Sequence, residues 1–378
     1  MKVGVIHDSL RTAGGGERVC LKTIEALRER GHEVVLGTVE KTNWDVLDKV
    51  MGRAPRPTRE INVANLSETP LRIYMGIAIP LVSRRIRGKC DVIVQTNGDV
   101  VPVGDIIYMH YLPASLCDDG SYREGNNILR ALYSRPYTRI YKHLIENIPD
   151  SHMFANSTFT QEAIHRSLER TPSVLYPPVD IKLFDNSGNG ARNGSVFVCG
   201  RFSPEKNYEF VIDVAKHLPA VQFNIVGTVT GDTSRRYYEY LRALAESCGL
   251  RNVGLVKNQP FTEVVRYYHE SDAVINCKIN EPFGITVVEG MAAGAIPVVH
   301  RSGGPWLDSL GRTDGTYGYS YTDAESAAKV VAHILNNDSE AEEVRKRGKE
   351  RAKIFSDDTF KNRFADSIEE IARKDRRY

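Results

Sequence analysis

Several things this chain lacks narrow its function. Its 50 Lys and Arg nearly balance 48 Asp and Glu, so a net charge of +2 gives no global field toward nucleic acid. The six cysteines, Cys20, Cys90, Cys117, Cys199, Cys248 and Cys277, stand far apart. None forms a C-x-x-C pair and no Cys/His group has zinc spacing, so they read as reduced thiols of a cytoplasmic protein. No apolar run approaches the roughly 20 residues a membrane span needs, and MKVGVIHDSL opens as a strand rather than a secretory leader. Gly14-x-Gly16 follows that strand, but the third glycine of a dinucleotide fingerprint would fall on Val19. No Asp-x-Asp stands in a strand–turn context. Asp118-Asp119 and Asp357-Asp358 are adjacent pairs in poor positions, and no metal site is expected.

At 378 residues the chain exceeds one ordinary domain, and two of about 180 residues each are the natural expectation. Its 41% hydrophobic content supplies ample core. Residues 2–7 read as a strand, 14–16 as a glycine turn, 17–30 as a helix and 33–39 as the next strand. That is a β–glycine loop–α–β unit of the nucleotide-binding kind. Strands are also expected at 91–96, 105–110 and 151–155, with Asn156-Ser157-Thr158 capping the helix that follows. The Pro-rich stretch 52–69 is expected to be irregular. NSGNGARNG, residues 186–194, is the most linker-like segment. It is expected to divide an N-terminal domain, 1–185, from a second α/β domain, 195–356. A last helix, within 357–378, is expected to cross back to the first domain.

The chemistry-bearing stretch is NEPFGITVVEGMAAGAIPVVHRSGG, residues 280–304. A polar turn with Glu281 and Pro282 precedes Phe283, Gly284 and a helical run through Ile285 and Thr286. Glu289 lies inside that helix, roughly 7 Å down its axis from Gly284. Gly294 stops the helix, and residues 295–300 read as a short buried strand. Free amides of a first helical turn suit a phosphate, and the two carboxylates suit sugar and ribose hydroxyls. Arg201 and Lys206 flank a turn after a strand and suit a diphosphate. His110 ends a strand, where α/β folds place chemistry. Two basic amphipathic segments, 70–89 and 126–148, could lie on an anionic membrane surface or hold a lipid phosphate, or be helices with solvated faces. Pro80 would kink any helix in the first.

The strings GGGERV, YMHYLPAS, NSTFTQEAI, YPPVD, GRFSPEKN and the E-x7-E stretch resemble those of retaining glycosyltransferases of family four. HRSGGP is similar to the α-1,2-mannosyltransferases acting on dolichol-linked oligosaccharide. The resemblance covers nearly the whole chain. It implies the GT-B fold: two Rossmann-like α/β/α domains whose parallel sheets face an interdomain cleft. It implies a donor site of Gly15, Gly16, Arg201, Lys206, Gly227, Val256, Lys257, Phe283, Gly284, Ile285, Thr286 and Glu289. His110, Glu281, Arg201 and Lys206 would carry the catalysis. The implied donor is GDP-mannose and the implied acceptor a polyprenyl-linked glycan, at the cytoplasmic face of a membrane. Two departures bear on the acceptor: Pro282 stands where those enzymes more often carry His, and no N-terminal membrane-spanning segment is expected from these residues.

Front-side transfer without a metal is the expected route. A UDP-sugar donor with another glycan acceptor is a close alternative, and a sugar-nucleotide epimerase or hydrolase a further one. An NAD oxidoreductase is disfavoured by Val19. A non-catalytic binding protein would not need both Glu281 and His110.

Overall fold

The computed structural model describes residues 1–11, 14–51, 53–63, 75–98, 101–112, 139–185 and 192–375. Parts of 70–89, 126–148 and 186–194 therefore lie outside the described residues, as does Cys117. The chain divides into two compact units, Met1–Pro178 with Asp357–Tyr378, and Val179–Ser356.

The first unit holds β1 (Lys2–Ile6), β2 (Glu33–Thr38), β3 (Arg59–Asn62), β4 (Val92–Gln95), β5 (Ile106–Met109), β6 (Met153–Ala155) and β7 (Ser173–Val174). Its sheet runs β3-β2-β1-β4-β5-β6-β7, with every pair parallel. The helices are α1 (Gly15–Glu29), α2 (Trp44–Met51), α3 (Met75–Arg87), α4 through residues 139–146, and α5 (Thr158–Leu168). Near-continuous apolar strands such as Val3–Ile6 and Ile106–Met109 fit a sheet covered on both faces. Ser157 caps α5 by accepting from the Thr160 amide, as its position before the helix implies.

One expectation needs correction here. The stretch 52–69 is not wholly irregular, because Arg59–Asn62 forms an edge strand against β2. Its sequence, REIN, lacks the apolar alternation that betrays a strand. Of the two readings of 70–89, the described part forms a helix of the first unit with a basic last turn. Helix α3 spends Ile79, Val82 and Ile86 on the core of the first sheet, so those side chains are not offered to a membrane. Arg87 bonds Asp105 at 2.7 Å, and Arg85 donates to the Asn62 carbonyl. Among the described residues no helix is long and apolar enough to cross a membrane.

The second unit repeats the design. It holds β8 (Val196–Cys199), β9 (Phe223–Gly227), β10 (Val253–Lys257), β11 (Ala273–Asn276), β12 (Ile296–His300) and β13 (Tyr319–Tyr321), in the order β10-β9-β8-β11-β12-β13. All pairs are again parallel. Helices α6 (Lys182–Asp185), α7 (Glu209–His217), α8 (Gly231–Ser247), α9 (Phe261–Glu270), α10 (Ile285–Ala293), α11 (Ala324–Asn336) and α12 (Asp338–Ala352) cover it. The final helix, α13 (Asp357–Asp375), is part of the first unit. It lays Phe360 and Phe364 against Tyr108 and pairs Asp357 with Lys22.

The division falls at Pro178–Val179, ahead of the glycine-rich 186–194 stretch. The cause is packing. Phe184 is buried edge-on against Tyr268, at 5.4 Å, and the Val179 amide bonds the Phe355 carbonyl. Residues 179–185 are thus held by the second unit.

Candidate active site

In the second sheet the strand order reverses at β8, which lies between β9 and β11. Ligands of open parallel sheets bind outside the carboxyl ends of the strands at such a point. The chain leaving β8 turns through Gly200 and a 3-10 turn, Pro204–Lys206. The chain leaving β11 passes Lys278 and Asn280 to reach Glu281. There the two segments meet, with Lys206 Nζ donating to Glu281 Oε2 at 3.0 Å. Lys278 Nζ lies 3.8 Å from the other carboxylate oxygen. Burial pushes the Glu281 carboxyl up, but the charges of Lys206 and Lys278 outweigh it and hold the group below its ordinary value.

The loop after β12 holds this turn by its backbone. The Asn280 amide donates to Ser302 Oγ at 2.9 Å, and the Gly304 amide donates to the Glu281 carbonyl at 2.9 Å. Ser302 Oγ also lies 2.7 Å from His300 Nδ1. Burial lowers the pKa of His300, which favours a neutral ring accepting the Ser302 proton. Gly303 has φ 75°, and a Cβ there would lie 2.5 Å from the Glu281 carbonyl oxygen, so only glycine fits without displacing the turn.

Gly284, at φ 82°, then starts α10. No acidic residue occupies the first turn of this helix. Its leading amides, at Ile285 and Thr286, carry the positive end of the helix dipole. Phe283 is buried edge-on against Phe355 at 5.6 Å, which anchors the chain just before the helix. Glu289, expected to reach ribose hydroxyls, is only 6% exposed, and its Oε2 accepts from the Tyr268 hydroxyl at 2.9 Å.

The structure thus brings together Lys206, Glu281 and the 283–286 turn. Arg201 follows Gly200 but is exposed and leans 3.4 Å from Glu205. Gly227 ends β9, where a Cβ would overlap the Gly200 carbonyl oxygen, so the glycine is required by backbone approach alone. Val256 and Lys257 end the outer strand β10, and Lys257 Nζ lies 4.9 Å over the Tyr238 ring. The Asn258 amide donates to the Gly227 carbonyl, tying that turn to β9.

In the first unit, Gly15 and Gly16 open α1. A Cβ on Gly16 would lie 3.5 Å from His110 Nε2 and 3.8 Å from the His7 ring. Thr96 serves both histidines. Its carbonyl accepts from His110 Nε2 at 2.8 Å, which places a proton on that nitrogen, and its hydroxyl lies 2.9 Å from His7 Nδ1. Unlike α10, α1 carries an acidic residue, Glu17, in its first turn.

Sequence reasoning passed over Lys278, His7, Thr96, Tyr268 and Ser302 in these roles. His7 was open to the criterion used for His110, a histidine at a strand end. Lys278 stands three residues before its carboxylate, Glu281, so short-range spacing was the signal that could have found it. Among the described residues no group of three or more His, Cys, Asp or Glu could hold a metal ion.

Residues 182–351 match the family model "Glycosyl transferases group 1". A human protein named GDP-Man:Man(3)GlcNAc(2)-PP-Dol alpha-1,2-mannosyltransferase is 31% identical over 215 residues, covering 53% of this chain and 44% of the relative. The match therefore spans less than half of that relative's length. A protein of the same name from Neurospora crassa is 26% identical, covering 97% of this chain and 79% of its own. The solved structure of sucrose-phosphate synthase from Thermosynechococcus elongatus superposes with a TM-score of 0.76 at 18% identity, covering 98% of this chain and 99% of that one.

Proposed function

We propose that this chain, which has the GT-B fold and a glycosyl transferases group 1 domain at 182–351, is a retaining glycosyltransferase that moves mannose from GDP-mannose onto a lipid-linked glycan in an α-1,2 linkage. The observation that carries the reading is the Lys206–Glu281 pair, 3.0 Å apart, immediately before the acid-free first turn of α10. Two relatives named as α-1,2-mannosyltransferases support the choice of sugar and linkage.

In this reading the donor diphosphate lies against Lys206, Arg201 and the amides of Ile285 and Thr286. The bond between the anomeric carbon and the diphosphate oxygen breaks, and its electron pair leaves with that oxygen. The acceptor hydroxyl forms its new bond on the same face and passes its proton to a leaving phosphate oxygen. The products are the glycoside and a nucleoside diphosphate. Fixed positive charge aimed at a leaving group is already in place before the charge develops, and a single such donor is typically worth about 10²–10³ in rate. Glu281, kept ionised, steadies positive charge at the anomeric carbon. No metal ion is assigned a role. A polyprenyl acceptor would bring the protein to a cytoplasmic membrane face as a peripheral enzyme.

A thermal-shift screen against GDP, UDP, ADP and NAD, with and without EDTA, tests the class and the base. A ligand that binds only the folded state stabilises it by about 2.7 kcal/mol at a hundred times its Kd. GDP is expected to give the largest shift, unaltered by EDTA. A larger UDP shift would move the reading to a UDP-sugar, and an NAD shift alone would overturn it.

A further inference from the structure

Two lysines meet one carboxylate, and the reaction above draws away only one of them. Lys206 comes from the turn after β8 and Lys278 from the loop after β11. They approach different oxygens, Oε2 at 3.0 Å and Oε1 at 3.8 Å. Both lysine side chains are about a quarter exposed, at 26% and 24%, against 13% for Glu281. Among the described residues Tyr208, at the start of α7, also bears on this carboxylate, and burial raises its hydroxyl well above the ordinary value and keeps it neutral.

A carboxylate so placed stays ionised only while positive charge offsets its lost hydration. Without ligand, Lys206 supplies the nearer charge. A bound diphosphate competes for that ammonium, and its own negative charge lies close to Glu281. Both effects favour protonation of Glu281 at the moment its charge is needed. Lys278 is three residues from Glu281 on the same loop and already faces the oxygen that Lys206 does not use.

We propose that Lys278 is the counter-ion that keeps Glu281 ionised once Lys206 turns to the diphosphate, making it a positioning residue of the transfer step. The inference rests on the glycosyltransferase reading and names a residue outside the expected set.

The test separates the free enzyme from the donor complex. The pH dependence of kcat/KM reports groups in the free enzyme, and that of kcat reports groups in the complex. The probe is GDP-mannose turnover, read as GDP release, on the full chain and on Lys278→Met, which keeps the stem and removes the charge. Losing a cation raises the pKa of Glu281, so activity is lost at a higher pH as the solution is acidified. The acid limb of kcat is expected to move up by about one unit, while the limb of kcat/KM moves less, because Lys206 still pairs with Glu281 before the donor binds. GDP affinity is expected to stay within about twofold, and Lys278→Arg to restore the kcat limb. An unmoved kcat limb overturns the proposal. So does a loss of GDP affinity as large as that of Lys206→Ala, since Lys278 would then be touching phosphate. Glu281→Gln separates the two failures. Full activity in that variant sinks the role given to Glu281, whereas an inactive Glu281→Gln beside an indifferent Lys278→Met sinks only this inference.

Discussion

Helices α1 and α10 make an instructive pair. Each follows a strand beside the point where its sheet reverses order, and each begins at a glycine. From backbone alone both are anion sites. Their surroundings differ. Helix α1 answers its own dipole, with Glu17 in the first turn and its carboxylate folded back so that a Cβ on Gly14 would lie 2.8 Å from Oε2. Its neighbours are His110 and His7, both bonded to Thr96. Helix α10 has no acid in its first turn, and two lysines gather just ahead of it. The difference teaches that a glycine-led helix start becomes a diphosphate site only where its positive end is left unanswered and cations are added.

Breaking the α10 side should have the largest effect. Glu281→Ala is expected to lower kcat by about 10³, measured as GDP release from GDP-mannose. Its melting temperature should stay within a few degrees, because removing Glu281 leaves Lys206 and Lys278 partly exposed rather than buried and unpaired. A variant with near-normal turnover would remove Glu281 from the chemistry. The α1 side should respond in stability instead. Glu17→Gln removes the acid at that helix start and is expected to cost about 0.3–1 kcal/mol in chemical denaturation, with GDP affinity unchanged. A weaker GDP complex in this variant would mean that α1 serves the nucleotide as α10 does.

Much of this contrast was legible in the sequence. The glycine turns, Lys206, Glu281 and the start of α10 stand out because strand–turn–helix punctuation falls at short range. Most strands and helices lie within a residue or two of their expected ends, for the same reason. What escaped depends on distant pairings. Lys278 lies only three residues from Glu281, but its weight comes from Lys206, which arrives from the turn after β8 and takes the other oxygen. Glu289 was placed on the helix by its spacing, but its bond from Tyr268, of a different helix, could not be read there. The short strands Arg59–Asn62 and Tyr319–Tyr321 owe their form to neighbours in the sheet rather than to their own pattern. The unit boundary followed Phe184 and Val179 rather than glycine content.

The most direct measurement gives α10 the acid that α1 already has. Thr286 is partly exposed in the first turn of α10. Thr286→Asp places a carboxylate where the diphosphate is proposed to lie, at a helix position where an acid favours folding by about 0.3–1 kcal/mol. Calorimetric titration with GDP is expected to show affinity weakened about 10- to 100-fold, a loss of roughly 1.4–2.7 kcal/mol, while the melting temperature holds or rises. Undiminished GDP affinity in a well-folded Thr286→Asp variant would contradict the assignment of the diphosphate to this helix.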